Sequence, residues 1–274
     1  MVSGGADGTV VLWNTRMEKG SRFSLHRLGT SMDPCVRSVC WAPQAHRILV
    51  STMACEIYEL SDSDGADIHR HPLVQSHVKG DLRGLAWHPE RLEFATCGDD
   101  GTVRVWDVAT RAQLRMTEFK SPLRALAYSI DGNQLAVGVG ADVGTFGDAP
   151  DKVGTVYVLD AHELTKVRAI HDARGPITAL KFSASGETLA AASADNCVYF
   201  YDTTGGEFVM RSPFTGHSAP VTHLDFDQAG EMCRSLCVNG RLLYSFVETG
   251  EEVTDTVSLR DTILATWTTP AGWA

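Results

Sequence analysis

Seven cysteines and ten histidines are the residues of this 274-residue chain that could ligate a metal or act as nucleophiles. The spacing of Cys233 and Cys237 could hold one side of a metal site. No second Cys or His pair follows at a zinc-like spacing, so the sequence predicts no metal site. The odd number of cysteines, several on apolar runs, indicates reduced thiols of a cytoplasmic protein instead of disulfides.

A histidine, an aspartate and a tryptophan mark the segment from Ser76 to Asp107. Catalysis is one interpretation of His77 and Asp100. The other is a buried network, in which the turn aspartate accepts hydrogen bonds from the histidine and the Trp106 indole donates outward from its strand. Since buried polar groups are nearly always hydrogen-bonded, we predict the structural network. Partial copies of it occur at Asp7, Trp13 and His217.

A third group of possible ligands lies in the Gly- and Asp-rich stretch Ala141–Val153. Its aspartates do not have the spacing of a calcium loop, so this stretch is predicted to be a surface loop. These aspartates are Asp142, Asp148 and Asp151. The chain also has no G-x-S-x-G elbow, phosphate loop or kinase motif. We therefore expect no cofactor and no enzymatic activity.

Composition narrows the class of partner. The chain is 43% hydrophobic and 21% charged, which is ordinary for a soluble domain. No apolar run approaches the ~18 residues of a membrane span, and the first residues do not have the pattern of a secretory signal. With a net charge of −10 and no basic run, nucleic acid is not an expected partner, and neither is a membrane.

One unit recurs along the chain. The position after the tryptophan of VRVWD is Asp107, and equivalent positions follow similar runs at spacings of roughly 42 to 53 residues. These positions are Asn14, Ser61, Asp107, Asp160, Asp202 and Phe246. The period is close to the ~40–45 residues of propeller blades with Trp-Asp signatures.

Each unit contains alternating apolar runs separated by Asp-Gly, Asn-Gly or similar turns, which indicates antiparallel hairpins. The sequence therefore predicts an all-β fold, a WD-repeat β-propeller with five complete four-stranded blades and partial strands at both ends. The predicted units cover residues 1–30 (partial), 31–76, 77–120, 121–171, 172–215, 216–258 and 259–274 (partial).

The two ends of the chain admit two explanations. Residues Met1–Thr9 supply a second strand and a turn, and LRDTILATWTTPAGWA reads as a first strand. In one explanation, Ile263–Thr268 pairs with the N-terminal strands and closes a six-bladed ring. In the other, the chain is a fragment of a longer tandem propeller.

Several motifs in order resemble the echinoderm microtubule-associated protein-like family. The first motif is matched by Gly80, Leu82, Gly84, Leu85, Ala86, His88 and Pro89. The second is matched by Gly216, His217, Ser218, Val221, Thr222, His223, Leu224 and Asp225. The third is matched by Ala265, Thr266, Trp267 and Thr268. The resemblance implies a segment of a tandem, atypical propeller pair that binds tubulin or microtubules.

The expected function is thus that of a non-catalytic scaffold of the microtubule cytoskeleton. The ciliary axoneme is one expected location. The alternative is a generic WD-repeat adaptor in a signalling or ubiquitin-ligase complex. Tubulin surfaces are acidic, so binding would need local cations on one face of the propeller. The candidates lie at or near the starts of first strands, and they are Lys79, Arg83, Arg124 and Arg174.

Overall fold

A computed structural model describes residues 1–28, 33–78, 80–140, 152–255, 259, 262–266 and 268 of the chain. The chain folds as two compact units, Met1–Gly80 and Asp81–Ala274. The division lies close to the predicted unit boundary at His77. Lys79 and most of the Ala141–Val153 stretch lie outside the described residues.

The first unit contains two antiparallel three-stranded sheets, each with its strands in chain order. Sheet 1 consists of β1 (Val2–Gly4), β2 (Thr9–Trp13) and β3 (Lys19–Ser24). Sheet 2 consists of β4 (Val36–Ala42), β5 (Arg47–Thr52) and β6 (Ile57–Ser61). Single-turn 3₁₀ helices cover Leu25–Leu28 and Pro43–Ala45. Apolar side chains of both sheets, including Val10, Val50 and Tyr58, form the core of this unit.

The second unit contains three four-stranded sheets and one three-stranded sheet among its described residues. Sheet 3 consists of β7 (Leu82–Trp87), β8 (Glu93–Gly98), β9 (Thr102–Asp107) and β10 (Gln113–Glu118). Sheet 4 consists of β11 (Leu123–Tyr128), β12 (Gln134–Val139), β13 (Val156–Asp160) and β14 (Lys166–Ile170). Sheet 5 consists of β15 (Ile177–Phe182), β16 (Thr188–Ser193), β17 (Val198–Asp202) and β18 (Val209–Phe214). Sheet 6 consists of β19 (Val221–Phe226), β20 (Met232–Cys237) and β21 (Leu242–Phe246). A single-turn 3₁₀ helix covers Thr204–Gly206.

Tight turns set the hairpins that the sequence predicted. Gly101, in the turn between β8 and β9, has φ of +72°, and a Cβ there would lie 2.7 Å from the carbonyl oxygen of Phe119. A side chain is therefore excluded on two grounds, the left-handed backbone and the lack of space. All six predicted third-strand ends fall at or directly after β2, β6, β9, β13, β17 and β21. The all-β propeller class is confirmed.

The predicted count of five complete four-stranded blades is wrong for the described residues, where three sheets have four strands. In sheet 2, the fourth strand is reduced to two isolated bridges, Leu60 with Asp67 and Ile57 with Val74. The left-handed residue Arg70, with φ of +61°, interrupts the extended backbone between the two bridges. In the described part of sheet 6, the corresponding pairing is a single isolated bridge, Ser245 with Glu252.

In the second unit, buried clusters lie between neighbouring sheets. Leu123 and Leu135 of sheet 4 pack with Val105 of sheet 3. Val156 of sheet 4 packs with Leu180 of sheet 5, and Phe200 of sheet 5 with Phe226 of sheet 6. Most of these sheets are therefore apolar on both faces, as stacked blades require. The segment at Ile263 and Leu264 hydrogen-bonds along the end of β19.

Candidate binding surface

The first strands of the four sheets in the second unit (β7, β11, β15 and β19) set the geometry of the candidate surface. A Cβ on Gly84, near the start of β7, would lie 3.2 Å from Leu126 of β11. A Cβ on Gly132, after the end of β11, would lie 2.4 Å from His88, after the end of β7. Neighbouring first strands therefore run in the same direction, and their starts gather at one end of the unit, here called the strand-start end.

Two of the predicted interface arginines meet at the strand-start end. The Arg83 guanidinium lies 2.6 Å from an Asp81 carboxylate oxygen and 3.7 Å from Asp99. The Arg124 Nε lies 3.9 Å from the other oxygen of Asp99. Asp99 is thus shared by two arginines of adjacent sheets. The local charge alternates and largely cancels, so this end does not attract an acidic partner by bulk charge.

The other two candidates are not part of this cluster. Arg174 is exposed and lies before β15, where its backbone N–H donates to an Asp195 carboxylate oxygen at 2.8 Å. Its position at the strand-start end agrees with the sequence expectation. Lys79 lies outside the described residues, as does the stretch from 141 to 151.

A groove with a volume of about 490 Å³ runs along the four first strands. Its described lining residues include three cations, one histidine and several threonines, and they include no aspartate or glutamate. The polar lining residues are Arg83, Arg124, Thr178, Lys181, Thr222, His223, Thr266 and Thr268, with Tyr128. Exposed apolar side chains stand at its β7 side, where Leu85 is 69% exposed and Trp87 is 57% exposed.

Beneath the groove lies a buried ion pair that sequence reasoning missed. Asp225 of β19 is fully buried, and the Arg234 guanidinium of β20 donates to it at 2.9 Å. The Thr266 and Thr268 hydroxyls donate to the other carboxylate oxygen at 2.8 and 2.7 Å, and the Thr268 N–H donates at 2.9 Å. The Asp225 carboxylate therefore adds to the backbone hydrogen bonds that join the last described segment to sheet 6. The sequence signal for this ion pair was the presence of two charged residues, Asp225 and Arg234, inside apolar strand patterns.

The described contacts of Asp100 lie within its own turn and strand, and the Trp106 indole is oriented differently from the prediction. Asp100 is buried and accepts hydrogen bonds from the Thr102 N–H at 3.0 Å and the Thr102 hydroxyl at 2.8 Å. The Arg104 guanidinium lies 3.6 Å from its second oxygen. The Trp106 indole does not point outward, because it donates to the Thr96 hydroxyl on β8 at 2.7 Å. His77 is half-buried in the first unit.

The partial copies of this network, at Trp13, His217 and Asp7, make similar hydrogen bonds in other sheets. The Trp13 indole donates to the Ser3 hydroxyl at 2.8 Å, at the register position that Thr96 occupies in sheet 3. In sheet 6, His217 is buried and its Nε2 lies 2.7 Å from the Ser235 hydroxyl at that same register. Asp7 repeats the Asp100 turn by accepting from Thr9, but it is exposed. The sequence reasoning had missed the hydroxyl partner on the second strand.

Comparison with known proteins places the second unit in a family. The family profile of the echinoderm microtubule-associated protein second β-propeller matches residues 82–274. This chain belongs to the echinoderm microtubule-associated protein-like family.

The relatives show how much of a family member the chain represents. Echinoderm microtubule-associated protein-like 2 of Mus musculus and its Homo sapiens counterpart are both 31% identical to the chain, over 98% of the chain. The 77 kDa echinoderm microtubule-associated protein of Lytechinus variegatus is 28% identical over 98% of the chain. The chain spans 38% of the length of each of these relatives. The match to the second propeller begins at the boundary between the two units.

The family motifs have physical roles in this echinoderm microtubule-associated protein-like chain. A Cβ on Gly84 of the first motif would lie 2.5 Å from the Cys97 sulfur on the paired strand β8 and 3.2 Å from Leu126 of sheet 4, so the packing within and between the sheets leaves room only for glycine there. Asp225 ends the second motif, and Thr266 and Thr268 belong to the third. Their hydrogen bonds join two motifs that are far apart in the sequence.

Two of the three motif histidines of this family member, His88 and His217, are buried as neutral imidazoles. His88 Nδ1 accepts from the N–H groups of Glu90 and Arg91 at 3.1 and 3.0 Å, so Nε2 carries the proton. Burial lowers the pKa of His88 and of His217 below the usual value, because it penalises the charged imidazolium. Neither histidine is therefore a proton donor to a ligand at neutral pH.

These two histidines predict an acid-sensitive fold. An unfolded histidine has a pKa of about 6.5, so below that pH the unfolded state binds more protons than the folded state. Stability should therefore fall as the pH drops from about 7.5 to about 5.5. Thermal melting at the two pH values measures this loss. His88→Gln and His217→Gln should each reduce the pH dependence, and an unchanged dependence in both variants would contradict the assignment.

Proposed function

We propose that this chain is a non-catalytic binding module that associates with microtubules through the strand-start end of its second unit. The observation that carries the proposal is family membership, because the relatives are named as microtubule-associated proteins and match nearly the whole chain. The proposed location is the cytoskeleton and, within it, the ciliary axoneme. The module would act there as a scaffold for tubulin and for other cytoskeletal or axonemal proteins.

Burial excludes two of the seven thiols as nucleophiles. Cys97 and Cys233 are buried on second strands, and burial raises the pKa of both thiols far above the usual value. Such thiols are not nucleophiles at neutral pH. Among the described residues, no group of three or more His, Cys, Asp and Glu side chains is placed to hold a metal ion. The same residues contain no helix of the length and hydropathy that a membrane crossing requires.

The charges at the strand-start end define what kind of contact is proposed. Since Asp81 and Asp99 neutralise Arg83 and Arg124, a partner must match an alternating pattern of charges at short range. Such complementarity gives orientation and specificity more than raw affinity. Arg174 extends the surface toward sheet 5, and Asp195 holds its backbone in place. The proposed interface thus spans the starts of three adjacent sheets.

Charge reversal tests this interface. Arg83→Glu combined with Arg174→Glu should weaken co-sedimentation with polymerised tubulin about tenfold, which corresponds to ~0.7 kcal/mol for each reversed surface charge. The binding that remains should weaken further at higher salt, because exposed charge pairs are screened. Binding curves at two salt concentrations measure both effects.

The matched control lies at the other end of the same unit. Arg91 follows the end of β7 and Arg111 follows the end of β9, and both are exposed. Arg91→Glu combined with Arg111→Glu changes the net charge by the same amount. Equal loss of binding from both pairs, or from neither, would refute the assignment of the surface. Failure of the unaltered chain to co-sediment would favour the generic WD-repeat adaptor instead.

A further inference from the structure

Lys181 is the cation in the groove that has no carboxylate close by. It lies on β15, is half-buried and lines the groove together with His223 and Thr222. Among the described residues, no carboxylate oxygen lies within salt-bridge distance of its amine. Lysine is rarely buried without a partner, because removing an ammonium ion from water is costly.

The surroundings of Lys181 leave its charge uncompensated. Asp225 is the acidic group that acts on Lys181, and it raises the pKa, whereas burial, the larger effect, lowers it. Asp225 is already bound by the Arg234 guanidinium and by two threonine hydroxyls. The pair below the groove is therefore neutral, and the lysine contributes a net positive charge to the groove.

The other cations of the groove stand at its strand-start end. Arg83 and Arg124 share Asp99, and their side chains are still 42% and 38% exposed. The guanidinium group has five donors, so an arginine paired with one carboxylate can still bind a second. The groove therefore has one uncompensated cation on its wall, and at its end two arginines whose charge Asp81 and Asp99 balance but whose remaining donors are accessible. Its described lining contains no acidic residue. This is unusual in a chain with a net charge of −10.

We propose that this groove binds an extended acidic peptide of a partner protein, with one glutamate or aspartate carboxylate paired to Lys181. Four parallel first strands contribute to the lining, so the groove is longer than a single carboxylate needs. Its volume of about 490 Å³ is within the ~300–1,000 Å³ typical of ligand clefts. Trp87 and Leu85 supply exposed apolar surface for the aliphatic parts of the peptide.

This inference deepens the proposed function. It rests on the proposed function only in the identity of the protein that supplies the peptide. It requires no microtubule for its test. The probe is a fluorescently labelled oligoglutamate peptide of about ten residues, and the readout is fluorescence anisotropy with the whole chain. Lys181→Gln should weaken binding about tenfold, as expected for removal of one partner of a partly desolvated charge pair. Lys181→Arg should retain most of the affinity, because it preserves the charge.

Arg168→Gln is the matched control, since Arg168 lies on the outer strand β14 and pairs with the exposed Glu207. It should bind the peptide like the unaltered chain, and an oligoglutamine peptide should not bind. No binding of oligoglutamate to the unaltered chain, or equal weakening by Lys181→Gln and Arg168→Gln, would overturn the proposal. If Lys181→Gln unfolds, Lys181→Met takes its place with the same expected loss, and full peptide binding by Lys181→Met would overturn the proposal. Peptide binding without co-sedimentation would reject only the microtubule proposal. Co-sedimentation without peptide binding would reject only the proposal that the groove binds an acidic peptide.

Discussion

Replacing Asp225 by alanine should destabilise the second unit by about 3–5 kcal/mol, the range for breaking a buried ion pair from one side. The carboxylate and the Arg234 guanidinium are both buried, with side chains 0% and 2% exposed. Alanine would leave the guanidinium in the interior without this carboxylate. It would also leave the hydroxyls of Thr266 and Thr268 without their shared acceptor. Urea unfolding followed by circular dichroism measures the change in the free energy of unfolding.

The exposed ion pair of sheet 5 provides the control. The Arg211 guanidinium donates to Asp202 at 2.9 Å, nearly the same distance as in the buried pair. Hydrogen bonds from the Thr204 hydroxyl and from Arg211 lower the pKa of Asp202 to about 2. Water screens this pair, so Arg211→Ala should cost much less than Asp225→Ala. Similar losses in the two variants would show that burial does not set the value of the Asp225 pair.

A double substitution separates the charge from the shape. Asp225→Leu combined with Arg234→Met removes both charges together and keeps apolar volume in the interior. It should recover a large part of the stability that Asp225→Ala loses, because no isolated charge remains. The last segment should be held less firmly, since Thr266 and Thr268 would have no carboxylate to bind and only the hydrogen bonds to the backbone of sheet 6 would remain. Faster proteolysis at that segment would report this loss in the double variant.

The sheets and their order were predictable from the sequence because the governing signals are local. Alternating apolar residues and left-handed turn residues such as Gly101 fix each hairpin within a few residues. The number of fourth strands was not predictable in the same way. Whether a segment such as Asp67–Val74 pairs along its length or only at two points depends on the backbone interruption at Arg70. A weak strand pattern does not reveal such interruptions.

The candidate site was predictable only in part, since its charges are paired across sheets. The sequence indicates that Arg83 and Arg124 stand near strand starts. It does not indicate that Asp99, on a different strand, compensates both of them. The same limit explains why Lys181 was missed. A single lysine in an alternating strand is usually solvated, and its distinctive environment arises from β15 and β19 lying side by side.

Replacing Asp100 by alanine should cost about 1–3 kcal/mol, the penalty for leaving buried donors without their acceptor. The affected donors are the backbone N–H and hydroxyl of Thr102, which is fully buried. Arg104, 2% exposed, would lose a carboxylate 3.6 Å away, but it keeps hydrogen bonds to Thr102 and Gln113. The expected loss is therefore below that of Asp225→Ala. Urea unfolding measures it, and tubulin co-sedimentation should fall only as far as the folded fraction falls.

Asp7→Ala is the matched control, because the chain repeats this turn in a different environment. Asp7 accepts from the Thr9 N–H at 3.2 Å and from the Thr9 hydroxyl at 2.6 Å, as Asp100 does from Thr102. Its side chain and that of its partner Arg22 are 60% and 68% exposed. Water can replace the lost acceptor there, so Asp7→Ala should change stability far less than Asp100→Ala. Equal effects would mean that the turn geometry, and not burial, carries the energy. Unchanged stability of Asp100→Ala with lost co-sedimentation would make Asp100 a contact residue of the partner.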